Sequence, residues 1–456
     1  MLALTRARPA AAGGAASPAA ARHRGAALRA AAAPAHVDVA VVGGGPAGLA
    51  AAAALRAVLP RGAEVRVFER TARTARGEAV LVGVNGLKAL AAIDPALTDG
   101  LLRKAIRLEG SDRYDKDTGE WMEFMPMRND AFKQKYGFSN ALLGWSDITG
   151  ALAESLPPGC VVANCPVTGF RQEAGRPIEL LAPAEGGDAQ RVVATCEALI
   201  GADGWFSAIR QQALGDGPPA FKDVVVWRAR IPKPDFLPAA RTMWWVPRGG
   251  VMPGAVLAVL IPVPGGDAVW QCHCPIDLMR SKGLAFDSAV GEAASSHAAN
   301  ARDGGATAKE RCLAAFAELP AAFRDVVAAT PAESITEHGL YQRTAETIPD
   351  VWGRGMVTLA GDAAHTAYVD GTGLALSLED AAVLGACVRD GGLTEAALRS
   401  YEAARVPRVR EVFSLTGRHA EAMKAGVPQR QLLDERAELL YSVRFEPLAA
   451  PAAAPA

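Results

Sequence analysis

Apolar positions along this chain follow two rhythms, and the places where one gives way to the other outline a fold. Val37-Asp38-Val39-Ala40-Val41-Val42 is a short, β-branched run of the kind that a parallel strand buried on both faces requires. Residues 49–59 form an alanine-rich helical stretch, stopped by Pro60, Arg61 and Gly62. Glu64-Val65-Arg66-Val67-Phe68 then reads as a second strand. Short strands are expected within 106–127, and a helix over 146–156, where Ile148, Leu152 and Leu156 share one face. Alternation over 161–170, 178–181 and 192–200 predicts a β-rich return. The runs Val224-Val225-Val226-Trp227, Met243-Trp244-Trp245-Val246, 256–261 and 268–272, parted by proline and glycine, predict a further sheet. Helices within 306–329 lead to a last apolar strand, Gly355-Met356-Val357-Thr358-Leu359-Ala360, and to a helix over 374–388.

Several of these strands end in small or acidic residues, where a ligand would lie. Gly43-Gly44-Gly45-Pro46-Ala47-Gly48 joins the first strand to the first helix. Gly43 permits the tight turn, Gly45 leaves room for a pyrophosphate, and Gly48 lets the helix approach the sheet. The free N–H groups at the helix start attract phosphate. Glu69, at the end of the second strand with Arg70 beside it, is placed to accept from adenosine ribose hydroxyls. The strand over 192–200 runs into Gly201-Ala202-Asp203-Gly204. The last strand runs into Gly361-Asp362-Ala363-Ala364-His365, then Gly371-Thr372-Gly373 and a helix opening at Leu374, whose backbone donors would face a ring carbonyl or phosphate. Strand, glycine turn, helix, strand and terminal acid in this order point to a dinucleotide-binding α/β fold.

Composition narrows the rest. A chain of 456 residues, 50% hydrophobic and 21% charged, can bury a large core, most simply in two domains. Its net charge is −1 and its basic residues are scattered, so no nucleic-acid footprint is visible. Seven irregularly spaced cysteines argue against a disulfide framework. In Cys272-His273-Cys274, a strand would turn His273 away from both thiols, which favours core packing over a metal site. The apolar stretch 251–264 is broken by proline and glycine and is too short to span a bilayer, leaving a soluble or peripherally membrane-associated protein. The first 34 residues set Arg6, Arg8, Arg22, Arg24 and Arg29 among alanines, with no acid before Asp38. Such a leader reads as an organelle transit peptide, chloroplast in preference to mitochondrion, with a disordered extension as the alternative.

These landmarks resemble the single-component FAD monooxygenases related to 4-hydroxybenzoate and salicylate hydroxylases, over most of residues 36–415. The resemblance implies an α/β protein with a Rossmann-like FAD-binding domain (GR2-type) assembled from 35–105, 145–215 and 346–395. A β-sheet-containing substrate domain would come from 106–144 and 216–345, followed by a helical segment 396–440 and a tail 441–456. It implies that Gly43, Gly45, Pro46, Ala47 and Gly48, with Glu69 and Arg70, bind the ADP half of FAD. Asp203-Gly204 with Ser207 and Arg210 would lie near the pyrophosphate and take part in NAD(P)H use. Asp362, after Gly361, would hold the ribityl chain, with Gly371, Gly373 and Leu374 also at the cofactor. Trp227-Arg228-Ala229 is similar to the family's aromatic-Arg-Gly stretch, and Tyr401-Glu402 with Arg405, Pro407 and Arg408 to its late helix. The chain departs from the pattern at Thr366-Ala367-Tyr368-Val369-Asp370, one residue short and lacking the usual proline, at Ala375 in place of an asparagine, and at Trp145-Ser146 in place of an arginine.

The implied reaction is reduction of FAD by NAD(P)H, addition of O2 at flavin C4a, and transfer of one oxygen from the hydroperoxide to a small aromatic or isoprenoid-like substrate, by hydroxylation or epoxidation and without a metal. His365, Tyr368 and Asp370 are the candidate catalytic residues in the altered loop; His365 also reads as a structural hydrogen-bond donor, and the other two as solvent-facing positions. Glu78, Arg343 and Trp245 are further pocket candidates. The altered loop leaves open a reductase or dehydrogenase of an unsaturated lipid or pigment precursor, or a flavin-binding protein without catalysis.

Overall fold

The computed structural model describes residues 34–72, 79–184, 189–248, 254–286, 306–367 and 371–448. By its contacts the chain divides between Pro34 and Ala35, and the second unit runs from Ala35 to Ala456. The basic leader, apart from Pro34, lies outside the described residues.

The strand Ala35–Val42 stands in the middle of a seven-stranded sheet. Val65–Phe68 runs parallel on one side and Gln190–Gly201 on the other. Val161–Val162 extends the first side, and Val357–Leu359 lies parallel to the end of Gln190–Gly201. Val39, Ala40 and Val41 have no exposed surface, so both faces of the strand are covered and its apolar run does not alternate. Because the chain leaves the first strand in one direction along the sheet and later returns on its other side, a crevice opens at the carboxyl ends of these strands. The nearer half of Gln190–Gly201 pairs antiparallel with Ile178–Pro183, which pairs with Gly169–Arg171.

The first helix, Pro46–Val58, begins three residues earlier than the apolar rhythm suggested. Proline in the first turn sacrifices no helical hydrogen bond. Its alanines serve close packing: a Cβ on Gly385, in the helix Thr372–Gly391, would stand 3.1 Å from Ala54 Cβ.

A second seven-stranded sheet has the order Thr336–Gln342, Ala220–Pro232, Asp267–Pro275, Leu257–Val263, Arg241–Val246, Gly110–Asp115 and Trp121–Pro126. One face, with Val225, Trp227, Leu260, Trp270, Cys272 and Cys274, packs on the helices Ala308–Ala315 and Ala321–Ala329. The opposite face carries Val224, Val226, His273, His338 and Leu340. His273 therefore points away from both buried thiols, and among the described residues no His, Cys, Asp and Glu group could hold a metal. Ala79–Val82 and Ala141–Gly144 form a separate antiparallel pair. No helix among the described residues is long and apolar enough to cross a membrane.

The second sheet is tied to its helices by a buried ion pair. Arg311 donates from Nε and Nη2 to Glu337, each at 2.9 Å, and Trp227 Nε1 donates to Glu337 Oε2 at 3.0 Å. Removing one member leaves the other charge buried without compensation, which costs about 3–5 kcal/mol. Glu337→Ala should therefore lower the urea midpoint by that equivalent, while Glu337→Ala combined with Arg311→Met should recover much of the loss.

Candidate functional site

Three turns meet at the carboxyl ends of the parallel strands. Gly43 has φ +110, and a Cβ there would lie 2.2 Å from Ala202 O and 3.0 Å from Asp203 Cα. This contact sets the first glycine turn directly against the Asp203 turn. Gly361 has φ 62 and ψ −143, a conformation open essentially to glycine alone. A Cβ on it would lie 2.5 Å from Ala47 Cβ and 2.9 Å from Ser377 Oγ. The Gly361 turn is thus wedged between the first helix and Thr372–Gly391.

Side chains lock these turns together. Asp203 accepts from Ser207 Oγ at 2.5 Å, Ala208 N at 2.8 Å and Ile209 N at 3.2 Å, capping the helix Ala208–Leu214. Burial holds its carboxyl above the ordinary range. Arg210, 2% exposed, is bonded to Asp216 and donates from Nη1 to Ala363 O at 2.9 Å and Ala364 O at 2.6 Å. Arg343 braces the same turn: its backbone N–H donates to Thr366 O, and its guanidinium to Gly217 O at 2.6 Å. Trp205 Nε1 donates to Asp362 Oδ2 at 2.9 Å. Asp362 Oδ1 lies 3.7 Å from where a Cβ on Gly373 would stand, so the acid sits at the start of Thr372–Gly391. Burial raises the Asp362 carboxyl, partly offset by the charge of His365 and the Trp205 bond. Glu69 Oε2 accepts from Gly44 N at 2.7 Å, and Oε1 from Thr71 N and Oγ1.

A chain folded in this way has clear relatives. Residues 249–416 match the model of an FAD binding domain, and residues 41–79 that of an NAD(P)-binding Rossmann-like domain. The 3-amino-4-hydroxybenzoate 2-monooxygenase of Streptomyces cremeus is 30% identical over 401 residues, spanning 84% of this chain and 87% of that protein. This chain belongs to the single-component FAD-dependent aromatic monooxygenases. The 6-hydroxynicotinate 3-monooxygenase of Pseudomonas fluorescens is 26% identical over 383 residues, covering 82% of this chain and 89% of that one. The crystal structure of Klebsiella pneumoniae HpxO complexed with FAD and uric acid shares the fold, with a TM-score of 0.64 at 23% identity, over 89% of this chain and 93% of that one.

The residues of this monooxygenase fit its cofactor. A Cβ on Gly45 would meet no protein atom within 4 Å, although its neighbours Gly43 and Gly48 are packed against backbone. The helix that follows has no side-chain cap and no acid in its first turn, so its leading N–H groups are left for a diphosphate. Gly204, with φ +87, is equally open.

Most of the expected residues lie within the described structure. His365 is fully buried, with Nε2 2.5 Å from Asp380 Oδ2 and its ring against Trp352. Its Nε2 is taken up by Asp380, which favours the reading of His365 as a structural hydrogen-bonding residue. Arg210 stands beside the site as a brace on residues 363–364. Trp245 is core, 2% exposed and stacked on Tyr114 with centroids 5.6 Å apart. Arg70 is exposed. Gly371 takes the left-handed conformation just before the helix, and Gly373 and Leu374 lie in its partly buried first turn. Where the arginine is replaced, the helix Trp145–Glu154 begins, with Asp147 Oδ2 accepting from Gly144 N at 2.9 Å. Glu78, Tyr368 and Asp370 lie outside the described residues.

Two features escaped the sequence reading. Trp205 joins Asp362 to the second sheet, packing with Val224, Val226 and Leu340; its position directly after Asp203-Gly204 was the available signal. Asp380 organises the Gly361 turn, accepting from Gly361 N at 2.8 Å and bonding to His365 and Arg405. Nothing local marks it.

Proposed function

We propose that this monooxygenase, reduced by NAD(P)H and using O2, hydroxylates a small aromatic ring that carries a hydroxyl or amino group. The observation that carries the reading is the bridge from Asp362 through Trp205 to the apolar wall of Val224, Val226 and Leu340. That bridge sets the acid beside a buried apolar cluster, and transfer to an aromatic ring calls for such water-poor surroundings held against the cofactor. The relatives named for 3-amino-4-hydroxybenzoate and 6-hydroxynicotinate support the ring class. Bound FAD supplies the electron transfer and oxygen chemistry. The chain's own residues bind and orient: Gly43, Gly45, Pro46, Ala47 and Gly48 cradle the diphosphate, the second lone pairs of Glu69 accept from the ribose, and Asp362 accepts from the ribityl hydroxyls. From the resemblance in sequence, Tyr368 and Asp370 are proposed as substrate contacts.

Purified protein should be yellow with non-covalent FAD. Added aromatic substrate should raise NADH or NADPH oxidation, with O2 uptake matching oxygenated product. Turnover that persists without O2 would transfer the assignment to a reductase or dehydrogenase. Asp362→Ala removes a charged acceptor, and charged hydrogen bonds contribute about 1.5–3 kcal/mol. Its FAD dissociation constant should rise about ten- to a hundredfold in equilibrium dialysis; unchanged retention would refute the role of Asp362.

The arginine-rich leader is assigned as a chloroplast transit peptide, with the mitochondrion as the alternative destination. Residues 1–40 fused to a fluorescent protein should direct it to plastids and be cleaved; a diffuse, uncleaved fusion would count against both.

A further inference from the structure

On the second sheet's site-facing side, one polar group has no partner. His338 is 4% exposed, and its Nδ1 lies 3.0 Å from Gly339 O. A carbonyl only accepts, so Nδ1 carries the proton and Nε2 of the neutral ring presents a lone pair. That Nε2 is buried and makes no hydrogen bond. A buried acceptor without a donor is costly, and in a native protein it is met by water or by a ligand.

Its surroundings indicate which. His338 and His273 stand in one row across the sheet, each directly opposite Val226. His273 is satisfied within the sheet, its Nε2 2.5 Å from Gln271 Nε2. His338 instead has its ring edge-to-face with Trp205, centroids 6.0 Å apart. Trp205 is the residue that donates to Asp362. The unpaired nitrogen therefore belongs to the apolar wall that borders the cofactor-binding acid, and the remaining members of that wall, Val224, Val226 and Leu340, offer nothing to bond it.

Charge keeps the ring an acceptor. Burial, then the guanidinium of Arg228, pushes His338 down to about 3, with a smaller push from His273. Burial and Arg228 likewise push His273 down to about 4. Arg228 and His273 are the ionisable neighbours that act on His338, and both disfavour its protonation. Near neutral pH the imidazole is uncharged and its Nε2 can only accept.

We propose that His338 is a specificity-determining residue whose Nε2 accepts a hydrogen bond from a hydroxyl or amino group on the aromatic substrate. The inference rests on the monooxygenase acting on a small ring, and it adds the feature by which that ring is chosen: a proton donor, pointed at the sheet. An analogue without the donor would bind and leave the nitrogen unpaired, which is the condition under which enzymes reject close analogues most strongly.

The test is binding by the FAD-loaded enzyme, read as perturbation of the flavin absorbance. Two matched pairs serve as probes: 6-hydroxynicotinate against nicotinate, and 3-amino-4-hydroxybenzoate against benzoate. In the unaltered enzyme at least one hydroxylated member should bind about tenfold or more tighter than its partner. His338→Phe should retain FAD and erase that preference, while His338→Asn, which keeps an acceptor oxygen, should restore part of it. If His338→Phe does not fold, a fall in the preference ratio for His338→Asn carries the test. Preference that survives unchanged in an FAD-loaded His338 variant would overturn the proposal and leave the nitrogen to a trapped water. So would an unaltered holoenzyme that shows no preference for the hydroxylated probes. A protein that takes up no FAD fails earlier, at the flavoenzyme reading itself.

Discussion

Gly45→Ala and Gly48→Ala should both yield protein that retains FAD poorly, but for different reasons that a stability measurement separates. A Cβ on Gly48 would lie 2.0 Å from Gly43 O and 3.2 Å from Val41 Cγ1. Carbon and oxygen cannot approach so closely, and the obstructing atom is backbone, so the helix Pro46–Val58 must move off the strand Ala35–Val42. Overpacking of this kind costs about 1–3 kcal/mol, and here the displaced helix start is the phosphate site. The apoprotein of Gly48→Ala should therefore melt lower, and FAD should be lost by about a hundredfold or more in affinity. Gly45 differs: its Cβ would enter open space, so the Gly45→Ala apoprotein should melt with the unaltered chain. What the methyl occupies is the path of the diphosphate, and FAD affinity should fall by about ten- to a hundredfold from steric exclusion alone. The measurements are apoprotein melting and FAD titration by fluorescence quenching. Full FAD affinity in Gly45→Ala would show that the diphosphate does not cross this turn, and the assignment of the whole glycine cradle would fall with it.

That contrast also marks how far the sequence could be read. Gly43, Gly45 and Gly48 are legible because backbone geometry alone dictates them, and the acids Asp203 and Asp362 because each follows a strand that runs out into small residues. The strand Thr336–Gln342 was not anticipated. Its sequence, Thr-Glu-His-Gly-Leu-Tyr-Gln, reads as polar, yet five of its seven residues are buried. Glu337 is neutralised by Arg311 from a helix 26 positions away, and His338 sits on the wall beside Trp205. Hydrophobic patterning cannot identify a strand whose buried charges are satisfied by distant partners. The pair Ala79–Val82 and Ala141–Gly144 is four residues on each side, too short for a period to emerge. His365 was only half legible for a related reason. Beside an acid and small residues it reads both as a structural donor and as a catalytic candidate, and the partner that favours the first reading, Asp380, comes fifteen residues later on another helix.

Asp380→Ala should be the most damaging single change outside the glycine turn. Asp380 Oδ2 accepts from Gly361 N at 2.8 Å and from His365 Nε2, and Oδ1 accepts from Arg405 Nε at 2.7 Å. Beside it, Glu379 accepts from Arg405 Nη1 at 2.6 Å and from Asn85 Nδ2 at 2.7 Å, with Arg408 adding a longer contact. Two acids thus face two arginines, and Glu379, Asp380 and Arg405 are each within 3% of complete burial. Removing Asp380 leaves a charge uncompensated and the Gly361 N–H without its acceptor, at a cost of about 3–5 kcal/mol. Since Gly361 immediately precedes Asp362, the variant should lose FAD along with stability. Acid offers an independent check. Burial pushes both carboxyls up, but His365 and Arg405 for Asp380, and Arg405 and Arg408 for Glu379, outweigh it and hold both below the ordinary carboxylate range. A depressed folded-state pKa contributes stability above the unfolded value, near 4, and that contribution is lost as pH falls through the folded value. The unaltered protein should therefore weaken steeply below about pH 4, whereas Asp380→Asn, already weaker at pH 7, should lose less on acidification. Urea unfolding at pH 7 and at pH 4 and below gives both slopes. If the two proteins kept a constant difference across that range, the Asp380 carboxylate would not be the charge that holds the Gly361 turn.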